Sequence, residues 1–180
     1  MIERMTRRIS KRYVVVSLAL VLALGAFMLA VYAPRFSSVA NGYPYLETKL
    51  GYTPTDLLDM AEGYGETGHN LYIRTALSLD LLIPLLAGNF IASFALYLSR
   101  SRIGGASLRR PAFAVSVAVC LSDWIENLCM IGVLRAYPQQ CMPLSIAARV
   151  MTTVKYVLML LSALLIIRAL RLKPVAAGKP

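Results

Sequence analysis

Four apolar runs divide the chain, at roughly Tyr13 to Ala33, Thr75 to Leu98, Ala112 to Ala136 and Leu144 to Arg168. Each approaches or exceeds the ~20 residues that a helix needs to cross a ~30 Å hydrocarbon core. The pattern therefore predicts an all-α fold. It is a four-transmembrane-helix antiparallel bundle, a single integral membrane domain over residues 1–180, with an outer loop from Pro34 to Arg74.

The loop has its own pattern. Asn41, Gly42, Tyr43, Pro44, Tyr45 and then Gly51, Tyr52, Thr53, Pro54 are turn-forming and aromatic, which predicts a folded cap at the interface. Thr55 to Tyr64 then predicts a short extracytoplasmic surface helix. Thr53 or Thr55 serves as N-cap, Pro54 lies near the first turn, and Leu57, Leu58, Met60 and Ala61 form an apolar side. Gly63, Gly65 and Gly68 match G-x-G-x-x-G, but no strand precedes them as a dinucleotide site requires, so they predict a hinge.

Charge sets the orientation. Arg4, Arg7, Arg8, Lys11 and Arg12 precede the first span, Arg100, Arg102, Arg109 and Arg110 follow the second, and Arg168, Arg171, Lys173 and Lys179 follow the fourth. Basic residues beside spans stay in the cytoplasm, so both termini are predicted on the cytoplasmic side of a bacterial inner membrane. The outer loop instead carries Glu47, Asp56, Asp59, Glu62 and Glu66 against Arg35, Lys49 and Arg74. The first run exceeds the length of a signal h-region and Pro34 follows it, which predicts an uncleaved signal anchor. The net charge of +10 tracks these cytoplasmic ends. It points to contact with anionic membrane lipids and excludes nucleic acid as the expected partner.

With 58% hydrophobic residues and positive mean hydropathy, polar groups inside the runs stand out. Ionisable side chains at bilayer depth cost about 2.5 to 3.5 kcal/mol each, so they face a bundle interior and mark a site or a structural pair. Asp80 lies in the second run, ~8 Å below the outer surface if that span begins at Thr75, with Pro84 four residues on. Asp123, Glu126 and Asn127 share a face of the third by i, i+3, i+4 spacing. Arg149, Thr152, Thr153 and Tyr156 make a stripe on the fourth, with Lys155 about a turn from Thr152. Counting inward matches Arg149 to Asp80 and Lys155 to Asp123. The expected working groups are Asp123, Glu126 and Lys155, with Asp80, Asn127, Arg149, Thr152 and Tyr156 holding a ligand.

Cys120, Cys129 and Cys141 lack zinc-site spacing, and His69 is the only histidine. No metal and no cofactor is expected.

Tyr72, Leu79-Asp80 with Pro84, Asp123-x-x-Glu126-Asn127 and Thr152-x-x-Lys155 together resemble a widespread group of small four-span bacterial membrane proteins of no established activity. The resemblance covers Thr53 to about Leu165, and His69 stands where that pattern has Arg. In architecture alone the bundle is similar to sterol-isomerase and sigma-2-type membrane proteins. Three functions fit these residues. One is an outward-facing intramembrane site that binds or processes an amphipathic, lipid-like small molecule. Another is a proton-coupled transporter, which needs a homo-oligomer because four spans are few for a pathway. The third is a non-catalytic assembly subunit.

Overall fold

The computed structural model describes residues 2–46 and 51–175, so Glu47, Lys49 and Lys179 lie outside the described residues. It is all-helical. The elements are α1 (Ile2–Arg8), α2 (Lys11–Phe27), a π-helical turn (Met28–Tyr32), α3 (Ala33–Val39), α4 (Pro54–Ala76), α5 (Leu79–Arg100), α6 (Ala106–Ala136) and α7 (Met142–Arg171). Among the described residues, four stretches are long and apolar enough to cross a membrane: Lys11–Val39, Pro54–Arg100, Ala106–Ala136 and Met142–Arg171. The outward faces of α2 and α7 remain apolar and exposed, with Val15, Leu22 and Leu29 on the first stretch and Val157, Leu160 and Leu164 on the last.

Side-chain bonds set the register of α5 on α6. The Trp124 indole N–H donates to the Leu81 carbonyl, and the Cys120 thiol donates to that of Pro84. Numbers rise along α5 as they fall along α6. Gly88 seats α5 closely, since a Cβ there would come 3.1 Å from the Ser116 carbonyl oxygen and nearer still to the Cys120 sulfur.

One end of the molecule gathers three basic segments. Arg100 donates to the Ile9 carbonyl at 2.7 Å, Arg109 pairs with Glu3 at 2.9 Å, and Arg102 donates to the Leu172 carbonyl at 2.8 Å. The other end holds an aromatic cluster. Phe36 meets Tyr64 with ring centroids 4.8 Å apart, and Tyr45 meets Tyr72 at 4.9 Å. Such pairs add about 0.5 to 1.5 kcal/mol each beyond simple burial.

α4 differs from the short helix expected over Thr55 to Tyr64. Thr53 caps it as part of a capping box with Asp56, and Pro54 takes the first helical position. Gly65, at φ 65° and ψ 176°, then breaks the axis and helix resumes to Ala76. The two halves fold back on each other. His69 Nε2 meets the Ala61 carbonyl at 2.5 Å, and a Cβ on Gly68 would lie 2.9 Å from that of Tyr64. The glycine run is thus a close-packed turn, and Leu57, Leu58, Met60, Ala61 and Tyr64 of the first half are all buried.

The second span also differs from a single helix over Thr75 to Leu98. Its chain bends at Ser78 (φ −127°, ψ −84°), whose hydroxyl donates to the Arg74 carbonyl at 2.6 Å. The second half of α4 leads into α5 through this bend. Tyr72 on that half donates to the Met130 sulfur, while Leu81 sits at the level of Trp124. Asp80 therefore lies level with the acidic stripe of α6.

Candidate functional site

α6 and α7 are the most extensively packed pair, and their facing stripes form the centre of the site. Lys155 reaches across from α7 to both acids of α6. Its Nζ lies 2.9 Å from Asp123 Oδ1 and 2.6 Å from Glu126 Oε2. The second contact is an ion pair without good hydrogen-bond direction, since Oε2 has no directed donor among the described residues. Glu126 is almost wholly buried, its side chain 2% exposed, while Lys155 and Asp123 keep 12% and 14%.

Thr152 joins this cluster to the loop. Its hydroxyl oxygen is 2.7 Å from the Tyr52 hydroxyl, 2.6 Å from Glu126 Oε1 and 3.0 Å from the Ala148 carbonyl. With a single proton it donates to Glu126 or to its own helix, and in either case it can accept from Tyr52. Burial pushes the Tyr52 phenol up to about 12, so it stays a neutral donor at physiological pH. When the Thr152 hydroxyl donates to Glu126, a directed chain runs from Tyr52 through Thr152 to the Glu126 carboxylate, which is also ion-paired with the Lys155 ammonium.

These groups border a cavity of about 250 Å³. Asp123, Glu126, Thr152, Lys155 and Tyr156 line its polar side, and Ile83, Ile91, Val119 and Met159 its apolar side. Leu46 and Tyr52 of the loop also line it, and both are buried. The rim includes Tyr156 and Met159, which are exposed on the side of the bundle.

The remaining expected ligand residues lie outside this lining. Asp80 is buried and accepts from the Tyr45 hydroxyl. Arg149, expected at its level, instead places its guanidinium 5.8 Å from the centre of the Tyr52 ring. Asp80 and Arg149 thus have separate partners and make no ion pair with each other among the described residues. Asn127 is buried beside the cluster, its amide nitrogen 3.5 Å from Asp123 Oδ2 and its Oδ1 without a hydrogen-bond partner among the described residues.

Leu46 and Tyr52, which line the cavity, and Tyr45, which bonds Asp80, are the candidate site positions that sequence reasoning missed. Their signal was the aromatic, turn-rich loop, which was assigned to the interface; instead it reaches into the bundle. Among the described residues no group of three or more His, Cys, Asp or Glu could hold a metal ion. A scan of protein-family models and searches of curated proteins and of solved structures return no match. The class defined is thus a bundle of four membrane-length helical stretches with a lysine held between two carboxylates beside a cavity.

Proposed function

We propose that this is a polytopic inner-membrane protein whose intramembrane cavity binds, and in an enzymatic version processes, an amphipathic, lipid-like small molecule. The observation that carries the reading is the composition of the cavity wall, with Asp123, Glu126 and Lys155 at one side and Ile83, Ile91, Val119 and Met159 at the other. Apolar lining with a few convergent polar groups is the usual form of a small-molecule site. A polar head meets the charged triad and a chain lies along the apolar wall. Two acids against one base leave a formal charge of −1 at the cluster, which favours a cationic or hydroxyl-bearing head. In the enzymatic version, Glu126 exchanges a proton with the bound head group while Thr152 positions its other oxygen and Asp123 stays paired with Lys155.

Leu46 and Tyr52 stand at the outer end of the cavity, while exposed Tyr156 and Met159 border its side. These positions favour entry from lipid between α5 and α7 over an opening straight outward. The antiparallel up-and-down order with both termini inside is supported by the meeting of all three basic segments at one end. The first half of α4 belongs to the extracytoplasmic side, and its buried face favours a helix packed on the bundle over one lying on the membrane surface. The transporter reading is weaker. Val119, Ile91 and Met159 continue the wall toward the basic end, and they offer no groups for a proton relay.

Glu126→Gln tests the proposal, since the amide keeps shape while removing the charge and proton exchange. Purified protein is titrated with cationic, zwitterionic and neutral single-chain amphiphiles while melting is followed. One class should stabilise the wild type and fail to stabilise the folded variant. If none of them shifts the wild type, or the variant responds equally, the proposal is wrong.

A further inference from the structure

A second, larger cavity of about 540 Å³ lies on the opposite faces of α5 and α6, toward the basic end. Leu85, Ala92, Leu96, Phe113 and Val117 line it, and Arg8 stands at its mouth. Gly88 and Cys120 belong to this side, whereas Ala87 and Val119 face the carboxylate cavity, so α5 and α6 form the partition between the two.

The hydroxyls and the thiol of its wall are all engaged. The Tyr13 hydroxyl donates to Asn89 Oδ1 at 2.8 Å. Ser93, Ser116 and the Cys120 thiol each donate to a helix carbonyl, those of Phe90, Ala112 and Pro84. Hydroxyls and a thiol that have spent their protons on the backbone present an apolar surface, which suits a hydrocarbon chain better than a polar solute or water.

Its dimensions match one leaflet. From Leu85 to Leu96 the groove follows α5 for ~16 Å at 1.5 Å per residue, about half of a ~30 Å core. At the end where a headgroup would lie, Arg8 is exposed and makes no ion pair among the described residues, whereas Arg109 nearby is engaged by Glu3.

We infer that this groove is a binding site for an anionic phospholipid of the cytoplasmic leaflet, one acyl chain lying along the shared face of α5 and α6 beside Ile9 and Tyr13 and the phosphate meeting Arg8. The inference rests on the topology proposed above and is independent of the carboxylate cavity.

Melting of the purified full chain in detergent is measured while phosphatidylglycerol or phosphatidylcholine is added. Phosphatidylglycerol should stabilise more strongly. Arg8→Ala should weaken its apparent affinity about fivefold, as expected for one basic residue near an anionic headgroup. Arg4→Ala, on the same helix outside the groove, should change it much less. Ala92→Trp, which fills the groove, should remove the response to both lipids. Equal effects of the two lipids on the wild type overturn the inference, as do equal losses in Arg8→Ala and Arg4→Ala, or a folded Ala92→Trp that still responds. Since Arg8 is exposed, its variant folds and decides the matter even if Ala92→Trp does not. No ligand of the carboxylate cavity is used, so failure here leaves the proposed function standing.

Discussion

The Lys155 ammonium stands 2.6 Å from Glu126 Oε2 while Asp123 holds it from the other side at 2.9 Å. One cation between two anions makes the three groups unequal. Removing Lys155 leaves two carboxylates facing each other at low dielectric, whereas removing one acid leaves the cation paired. Lys155→Met should therefore destabilise the bundle by about 3 to 5 kcal/mol, the range for breaking a buried pair from one side. Glu126→Gln should cost clearly less, because Asp123 remains. Equilibrium unfolding of the two variants in the same detergent checks the order, and Glu126→Gln proving the worse would mean that Asp123 contributes little.

Tyr52 ties the loop to Thr152, and its hydroxyl must keep its proton to donate. Its folded pKa, raised by burial to about 12, lies above the ordinary 10.0. The sign follows directly. The docked phenol's contribution is fully present below pH 10 and is lost as pH rises through about 12. Tyr52→Phe should cost about 0.5 to 1.5 kcal/mol near neutrality. It should also remove one late-titrating tyrosine from an alkaline absorbance titration. If the two proteins titrate alike, Tyr52 is not buried against Thr152.

The triad was legible because ionisable residues in long apolar runs are rare, and i, i+3, i+4 spacing puts Asp123, Glu126 and Asn127 on one face without tertiary knowledge. Its pairing with Lys155 followed from counting depth along two straight helices of similar length. The bend at Ser78 was not legible, because it is made by that residue's own dihedrals with neither Gly nor Pro to mark it. The inserted loop was hidden for another reason. Tyr45 and Tyr52 are bonded to partners 35 and 100 residues away, and nothing local distinguishes a tyrosine anchored inside from one at the interface.

Gly65 makes the turn between the two halves of α4 at φ 65° and ψ 176°, a region essentially confined to glycine. Gly65→Ala should lower stability by about 1 to 3 kcal/mol, with the aromatic cluster around Tyr64 and Tyr72 loosening first. Hydrogen exchange should show protection falling in Pro54–Ala76 before it falls in Ala106–Ala136. Unchanged exchange in the first segment would mean that the turn tolerates a side chain.

Topology can be tested at the two ends of the bundle. Asn41 donates its amide to the Gly63 carbonyl at 2.9 Å beside the aromatic cluster, whereas Gly104 lies in the α5–α6 turn near Lys173. Single cysteines at these positions, in a background with Cys120, Cys129 and Cys141 replaced by serine or alanine, report opposite sides. A membrane-impermeant maleimide added to intact cells should label Asn41→Cys, while Gly104→Cys should label only after the membrane is opened. The expected orientation rests on the excess of Arg at the Gly104 end, since basic flanks resist translocation. Labelling of Gly104→Cys in intact cells would invert the protein and place the groove beside Arg8 in the outer leaflet.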